Sequence, residues 1–171
     1  MRYSALILDC DGVIVDSEPY SCKAWNVVFQ NEYGIDIGTN YDAILGKNTR
    51  STILHYFREH DLQITEPIIQ RLSVLKGQAY LNLATGKLTT IEGVERIIKQ
   101  ARELGWKLAV ASSGTAAKID FSLTQVHLQD QFDVIVGSEG LQGKPAPDIF
   151  LEAAKRLGTI PEECVVIEDT P

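Results

Sequence analysis

Three kinds of feature are scarce or missing in this sequence, and each absence excludes a class of protein. Cysteine occurs only three times and never as a C-x-x-C pair, which favours free thiols in a reducing compartment over a disulfide framework. Acidic residues outnumber basic ones and give a formal net charge of -7, so a nucleic-acid or membrane-surface binder is not expected. The apolar stretch Ala5–Leu8 ends at Asp9 and is too short for a signal peptide or a membrane span. We therefore expect a soluble, cytoplasmic protein.

The chain does contain enough apolar sequence for one core. Its 171 residues are 44% hydrophobic, which favours one folded domain with room for a small insertion. Four short apolar runs, each bounded by polar or glycine-containing turns, have the length and composition of strands in a buried parallel sheet. These runs cover residues 5–8, 108–111, 134–136 and 165–167.

Amphipathic patterns lie before two of these runs. Apolar residues recur at three- and four-residue spacing over 94–104, before Gly105, and over 149–157, before Gly158. Glycine commonly ends a helix, so both patterns predict helices that stop at these positions. Strands and helices in alternation predict an α/β fold with a doubly wound, Rossmann-like parallel sheet.

The segment between the first and second strands breaks this alternation. It contains amphipathic stretches at 24–29, 53–57 and 68–83 but no convincing strand, which predicts a helical insertion. We therefore expect a core made of residues 1–16 and 87–171, and a small helical domain made of residues 17–86.

Residues suited to phosphate or metal chemistry follow the carboxyl end of every predicted strand. They are Asp9 and Asp11 after the first strand, Ser112 and Ser113 after the second, Lys144 after the third, and Glu168 and Asp169 after the fourth. In an open parallel sheet, the carboxyl ends of the strands form the ligand crevice. Four separate segments are thus expected to converge on one site.

The D-C-D-G motif that begins at Asp9 places two carboxylates one residue apart. Two like charges buried together need a cation or protons to neutralise them, so Asp9 and Asp11 predict a divalent metal, with Glu168 and Asp169 nearby. Ligands that are all oxygen, without histidine, suit Mg²⁺. A polar turn with an aspartate helix cap is the plain alternative for this motif taken alone, but the other three strand ends argue against it.

Two segments offer positive potential to a phosphate. Ser112 and Ser113 present hydroxyls and N–H groups at the start of a helix, where the dipole favours an anion. Helix capping is the simpler explanation for these serines when the segment is taken by itself. Lys144 lies in a turn bracketed by prolines, and its point charge would hold a phosphate and screen Asp9 from it.

Four motifs in order identify a family. The chain reads D-C-D-G-V-I-V-D-S-E-P, then A-V-A-S-S-G, then G-K-P-A-P-D-I-F, then V-V-I-E-D-T-P. Their order and spacing resemble the four motifs of the haloacid dehalogenase-like phosphatases, particularly the group containing beta-phosphoglucomutase and phosphoglycolate phosphatase, over essentially the whole chain. The resemblance implies a Mg²⁺-dependent phosphomonoester hydrolase that acts on a small phosphorylated metabolite, with sugar phosphates the expected class.

The resemblance also implies a role for each residue at the strand ends. Asp9 would be the nucleophile that becomes phosphorylated, and Asp11 would be the general acid and then the general base. The transferring phosphoryl group would be bound by Ser112, the Ser113 amide and Lys144. The implied Mg²⁺ ligands are Asp9, the backbone carbonyl of Asp11, Glu168 and Asp169.

The helical insertion would, by the same resemblance, be a cap that closes over the crevice and selects the substrate. Candidate contacts are Lys76, which falls where related enzymes use a cap lysine, and Thr49 and Arg50 in the turn that begins at Gly46. A solvated helix face is the plain alternative for these side chains.

Two residues near the first motif narrow the expected function. Beta-phosphoglucomutases carry a histidine after the first motif where this chain has Ser21, so hydrolysis is expected to dominate over mutase transfer. Cys10 is not expected to be a nucleophile, because cysteine phosphatases need an arginine after a short phosphate loop and the residue six beyond Cys10 is Asp16. A phosphomutase and a catalytically silent module that binds a phosphorylated ligand are the alternatives to a phosphatase.

The chain ends at Pro171, whereas members of the family continue into a further helix and strand. We therefore expect a shortened form of a longer protein, in which residues 165–167 are an exposed sheet edge that favours self-association. Besides a further copy and a small phosphorylated metabolite, no partner is expected, neither nucleic acid nor membrane.

Overall fold

A parallel sheet of four strands organises one part of the chain. The computed structural model describes residues 3–38, 41–44 and 47–169. All pairings in the sheet are parallel, and the strand order is β3-β2-β1-β4. Leu6 in the first strand lies opposite Leu108 on one side and Val165 on the other. The strands are β1 (Ala5–Leu8), β2 (Lys107–Ala111), β3 (Val134–Val136) and β4 (Cys164–Ile167).

Six α-helices lie within the described ranges. They are α1 (Glu18–Tyr33), α2 (Thr49–Glu59), α3 (Glu66–Ala84), α4 (Val94–Glu103), α5 (Ala116–Gln125) and α6 (Asp148–Leu157). The two predicted helix ends are present, because Gly105 (φ 73°) follows α4 and Gly158 (φ 66°) follows α6 in the left-handed conformation that glycine tolerates. The predicted α/β fold with a parallel sheet is therefore confirmed.

The sheet packs one face against α6 through small and branched side chains. Alternate residues of a strand point to the same face, so every second residue of β1 and β2 enters this layer. Alanines in the sheet face alanines in the helix, which lets the two approach closely. The buried members of the layer are Ala5, Ile7, Ala109, Ala111, Val136, Ile149, Ala153, Ala154 and Leu157.

β4 is the strand that was expected to form an exposed sheet edge. It lies at one edge of the sheet formed by the described residues, and Val166 is 43% exposed. Apolar sequence alone does not distinguish a central strand from an edge strand, because both carry branched aliphatic side chains. The expected self-association through this edge stays a prediction, and Pro171 lies outside the described residues.

The chain divides into two compact units. One consists of Met1–Ser17 and Leu88–Pro171 and contains the sheet, and we call it the core unit. The other, Glu18–Lys87, contains α1, α2 and α3 and has no strand among its described residues, and we call it the helical unit. Aromatic rings pack together inside the helical unit. The ring centroid of Phe29 in α1 lies 5.1 Å from that of Tyr56 and 6.1 Å from that of Phe57, both in α2.

Neither unit contains, among the residues described, a helix with the length and apolar character needed to cross a membrane.

One glycine inside α3 and one after its end give a direct test of the backbone conformation. Gly77 lies inside α3 and Gly86 follows its last turn with φ 71°, and a Cβ at either position would meet no atom within 4 Å. Only the backbone angle differs, so alanine should be favourable at Gly77 and strained at Gly86.

We expect Gly77→Ala to raise the free energy of unfolding by about 0.5–1 kcal/mol, and Gly86→Ala to lower it by about 1 kcal/mol. Urea titrations followed by circular dichroism would measure both. Equal effects of the two substitutions would contradict the helix end described here.

Candidate active site

The strand order reverses beside β1, and this reversal positions the predicted residues. β2 and β3 lie on one side of β1 and β4 on the other, and ligands bind at such a switch point outside the carboxyl ends of the strands. Asp9 follows β1, and its N–H donates to the carbonyl of Ile167 at 3.0 Å. Ser112 follows β2, and its N–H donates to the carbonyl of Val136 at 3.0 Å. The sheet ladder thus continues into the site and fixes its backbone.

Lys144 joins Asp9 to Glu168. Its Nζ lies 3.1 Å from Asp9 Oδ1 and 2.5 Å from Glu168 Oε2, and all three side chains are less than one-fifth exposed. The same ammonium group lies 5.2 Å from the ring centroid of Phe150. A cation placed between two carboxylates offsets much of the cost of their burial. Residues that follow three different strands therefore meet at one point.

Asp9, Glu168 and Asp169 form a compact group of carboxylates. Each presents one oxygen atom, and these three atoms lie within 4.8 Å of one another. Asp9 Oδ1 and Glu168 Oε1 are buried and accept no hydrogen bond from the described residues, although Asp9 Oδ1 keeps its ion pair with Lys144. Buried carboxylate oxygens without donors are costly, and a bound cation is one way to satisfy them.

Gly12 makes room for this group. Its φ is 79°, and a Cβ built on it would lie 2.1 Å from Asp169 Oδ2, which no side chain tolerates. The Gly12 N–H donates to the carbonyl of Val15 at 3.0 Å, which folds the loop after β1 back on itself. The glycine of the D-C-D-G motif is therefore required both by its backbone angle and by its approach to Asp169.

The carboxylate group fits Mg²⁺ in its chemistry. Asp9, Glu168 and Asp169 offer only oxygen atoms, which are the ligands that Mg²⁺ prefers. The carboxylate of Asp11 lies outside this group, and its two oxygens contact Ser17 and a lysine of α5. A metal ligand from Asp11 would thus be its backbone carbonyl, as the resemblance implies, and that assignment stays a prediction.

Burial raises the pKa of Asp9 from 3.8 to about 7. Lys144 opposes this rise, while the negative charges of Glu168 and Asp11 add to it. Near neutral pH the metal-free carboxyl is therefore close to half protonated. A cation bound beside Asp9 would favour the ionised form and lower the pKa.

Cys10 is unsuited to nucleophilic attack. Its side chain is buried, and burial, followed by the negative charge of Asp11, raises the pKa of the thiol well above its ordinary value. The nucleophilic form of cysteine is the thiolate, which this environment disfavours. The position between the two aspartates therefore acts as part of the core.

Asp11 is held by two side chains. The hydroxyl of Ser17 donates to Asp11 Oδ1, and Lys118 Nζ lies 2.6 Å from Asp11 Oδ2. Lys118 was not among the residues predicted from sequence. One signal could have found it, because a lysine in the first turn of a helix opposes the helix dipole and needs a negative partner elsewhere.

The loop after β2 is ordered by capping of α5. Thr115 is the N-cap, since its Oγ1 accepts from the Lys118 N–H at 3.2 Å. Ser112 is buried, and its Oγ accepts from the Gly114 N–H at 3.2 Å. Helix capping therefore explains Thr115, whereas Ser112 holds the loop before the helix. The serines remain candidates for binding a phosphoryl group.

Lys76, the first cap candidate, is buried within the helical unit. Only 7% of the residue is exposed, and its Nζ donates to the hydroxyl of Ser21 at 2.8 Å. Its ammonium group also lies 5.6 Å from the ring centroid of Trp25 and 5.3 Å from that of Tyr80. Lys76 is thus not on a solvated helix face.

Of the other two cap candidates, Arg50 is held by an ion pair and Thr49 begins a helix. Arg50 is about half exposed, and its Nη1 donates to both carboxylate oxygens of Glu66, at 2.6 and 2.9 Å. Thr49 is the first residue of α2 and follows the N-cap Asn48, whose side chain accepts from a backbone N–H. Gly46, where the predicted turn begins, lies outside the described residues.

Comparisons with known proteins agree over nearly the whole chain. The sequence profile of haloacid dehalogenase-like hydrolases matches residues 3–171. Beta-phosphoglucomutase of Bacillus subtilis (strain 168) is 33% identical over 96% of this chain and 74% of its own length. Fructose-1-phosphate phosphatase YqaB of Escherichia coli (strain K12) is 30% identical over 98% of this chain and 87% of its own length. A crystal structure of beta-phosphoglucomutase from Clostridium difficile has a TM-score of 0.88 and 26% identity, covering 98% of this chain and 77% of that one.

The raised pKa of Asp9 has a consequence for stability. A carboxyl with a pKa of 3.8 when unfolded and about 7 when folded is ionised at a cost in the folded protein. Its contribution to stability is full below about pH 4, falls as the pH rises, and is lost above about pH 7. Asparagine does not ionise, so Asp9→Asn removes this dependence of stability on pH.

In metal-free buffer we expect Asp9→Asn to change the free energy of unfolding more favourably at pH 8 than at pH 4.5. The difference between the two effects should be on the order of 2–4 kcal/mol. Urea unfolding at the two pH values measures it. Asp120→Asn, at an exposed position of α5, is the control and should show no such difference. The same effect of Asp9→Asn at both pH values would contradict the raised pKa.

Proposed function

Because this chain belongs to the haloacid dehalogenase-like hydrolases, we propose that it is a Mg²⁺-dependent phosphomonoesterase that becomes phosphorylated on Asp9. Its substrate in this proposal is a small phosphorylated metabolite, with a sugar phosphate the preferred class. One observation carries the proposal, namely a buried Asp9 at the end of the central strand, 3.1 Å from Lys144 and grouped with Glu168 and Asp169. Relatives named fructose-1-phosphate phosphatase and beta-phosphoglucomutase support the substrate class.

Charge repulsion is the first obstacle to this reaction. A carboxylate is a weak nucleophile, and a phosphate monoester carries negative charge toward it. Lys144 lies beside the carboxylate of Asp9, so an incoming phosphoryl group would meet a fixed positive charge at the same place. Such preorganised charge stabilises the transition state without reorganisation at the moment of reaction.

In the first half of the reaction, an oxygen of Asp9 forms a bond to phosphorus and the bond from phosphorus to the alcohol oxygen breaks. Asp11 gives its proton to that leaving oxygen, and the product alcohol departs. Ser112 and the Ser113 amide would hold the oxygens of the phosphoryl group. The outcome is a phosphoaspartate at position 9 and an ionised Asp11.

In the second half, Asp11 accepts a proton from water. The water oxygen forms a bond to phosphorus, and the bond from phosphorus to Asp9 breaks. Inorganic phosphate is released, and both aspartates return to their starting forms. The same carboxyl thus acts as acid and then as base, which explains why the motif needs the second aspartate.

Asp9, Glu168 and Asp169 would hold the Mg²⁺ ion, together with the backbone carbonyl of Asp11. When bound, the ion supplies positive charge that offsets the charge on the phosphoryl group. At the end of the sheet, the ammonium groups of Lys144 and Lys118 offset part of the charge of four carboxylates. A divalent cation would complete this balance.

The helical unit is proposed to select the substrate, with Lys76 its principal residue and Thr49 and Arg50 secondary ones. Lys76 is a buried ammonium with a hydroxyl partner and aromatic neighbours, an environment that strengthens its attraction for an anion. Arg50 is engaged by Glu66, so its use by a substrate would require that ion pair to break.

A phosphomutase is the alternative, and the relatives named beta-phosphoglucomutase favour it. A mutase passes the phosphoryl group of Asp9 to a second hydroxyl instead of to water, and it needs a bisphosphate to start. Ser21 stands where the mutases have a histidine, and its hydroxyl accepts a hydrogen bond from Lys76. We therefore favour hydrolysis.

The central test is a screen for phosphate release from sugar phosphates in the presence of Mg²⁺. We expect activity that Asp9→Asn lowers by at least about 1000-fold, because a covalent intermediate cannot form without the carboxylate. Beryllium fluoride should inhibit by occupying the phosphoryl position on Asp9. Full turnover in excess chelator, or in the Asp9→Asn variant, would refute the proposal.

The choice between hydrolysis and transfer has its own measurement. Incubated with beta-glucose 1-phosphate and a bisphosphate primer, the protein should release phosphate and form little glucose 6-phosphate. Coupled detection of glucose 6-phosphate follows the reaction. Rapid conversion would instead establish the mutase alternative.

The Mg²⁺ site can be tested without activity by comparing two glycines. Gly12→Ala brings a Cβ against Asp169 at 2.1 Å, whereas Gly140, also at positive φ (76°), has no atom within 4 Å of a built Cβ. Both variants carry backbone strain, but only the first displaces a ligand. We expect Gly12→Ala to weaken Mg²⁺ binding about tenfold or more by calorimetry, and Gly140→Ala to leave it unchanged. Equal affinities in the two variants would contradict the assigned ligands.

A further inference from the structure

We propose that Lys118 is a positioning residue for Asp11, holding its ionised carboxylate in the orientation with which it accepts a proton from water in the second half of the reaction. The inference rests on the proposed function, because the role of Asp11 belongs to that function. It adds a residue that none of the four sequence motifs explains.

The contact itself is close and partly shielded from water. Lys118 Nζ lies 2.6 Å from Asp11 Oδ2, with 17% of the lysine side chain and 22% of the aspartate side chain exposed. Charged hydrogen bonds of this length are among the strongest that proteins form, and shielding from water reduces their screening. Burial, and not distance, distinguishes this pair from exposed ion pairs such as Arg50 with Glu66, which is also 2.6 Å long but has more than half of each side chain exposed.

The local backbone explains how Lys118 reaches Asp11. The N-cap Thr115 fixes the start of α5, and Lys118 is the third residue of the helix. Helical side chains lean toward the N-terminus, which carries the lysine stem back over the preceding loop. A Cβ on Gly114 would lie 3.2 Å from Lys118 Cδ, so the glycine leaves space for that stem.

The position is electrostatically unfavourable for a lysine in its own helix. The N-terminus of a helix carries partial positive charge, and the first turn of α5 has no acidic residue to offset a cation. Lys118 is therefore opposed by its own helix and favoured by Asp11. This second observation, independent of the distance, indicates that the lysine serves the site.

The two lysines of the site have separate partners. Lys144 contacts Asp9 and Glu168, whereas Lys118 contacts Asp11, whose other oxygen accepts from Ser17. A carboxylate held at both oxygens does not rotate about its last torsion. Loss of Lys118 removes the contact at Oδ2, and misorientation of a catalytic group by about 1 Å costs rates of the order of a hundredfold.

The experiment compares variants on an alkyl phosphate that the wild-type protein hydrolyses. Lys118→Met, which keeps the length of the stem without its charge, should lower kcat about 10- to 100-fold and change KM less than about threefold. Lys118→Arg should recover part of the loss because it restores a cationic donor. Lys99→Met, on an exposed lysine of α4, is the matched control and should leave both parameters unchanged. Circular dichroism and thermal unfolding confirm that each variant is folded.

A double-mutant cycle separates positioning from other roles. Single-turnover release of inorganic phosphate from p-nitrophenyl phosphate at high enzyme concentration makes slow variants measurable. This leaving group needs little protonation, so the rate depends on Asp11 through its role as base in the second half of the reaction. If Lys118 acts through Asp11, adding Lys118→Met to Asp11→Asn should change the rate less than twofold. Additive losses, or a loss in KM alone, would overturn the inference and indicate direct contact with the substrate, and so would wild-type rates in Lys118→Met. Wild-type protein without any phosphatase activity would refute the proposed function instead.

Discussion

The repulsion among carboxylates at the carboxyl end of β1 is the constraint on which the rest of the structure depends. Asp9, Asp11, Glu168 and Asp169 come from two adjacent parallel strands, whose pairing brings their ends together. Burial, together with the charges of Glu168 and Asp11 and against that of Lys144, raises the pKa of Asp9 to about 7, so its ionised form is unfavourable here. A sheet that only needed stability would place apolar residues at this position. The cost is therefore best understood as a requirement of chemistry.

The fold offsets this repulsion with cations from two other segments. Lys144 follows β3 and contacts Asp9 and Glu168, while Lys118 begins α5 and contacts Asp11. Gly12 allows the loop after β1 to approach Asp169 closely. Buried oxygens of Asp9 and Glu168 that accept no hydrogen bond from the described residues remain, and a divalent cation would satisfy them. In this account, stability, metal binding and phosphoryl transfer all depend on one arrangement of charges.

Much of this arrangement follows from sequence, because parallel strands bring their carboxyl ends together wherever they lie in the chain. Short apolar runs followed by Asp9, Ser112 and Glu168 were sufficient to predict the sheet and the convergence of its ends. Lys118 was missed because it belongs to no strand end, and only its opposition to the helix dipole distinguishes it. The exposed edge at β4 was expected from the resemblance to the family and not from composition, because central and edge strands share the same composition. The burial of Lys76 depends on contacts between α1 and α3 that no local pattern specifies.

Trapping the covalent intermediate tests the central claim most directly. The protein would be mixed with a hydrolysable sugar phosphate and Mg²⁺, quenched in acid within one turnover, digested, and analysed by mass spectrometry. The account predicts a phosphoryl group on the peptide that contains Asp9, formed at the rate of the first half-reaction and absent from Asp9→Asn. Hydrolysis at full rate with no phosphorylated peptide, or with the phosphoryl group on another residue, would contradict it.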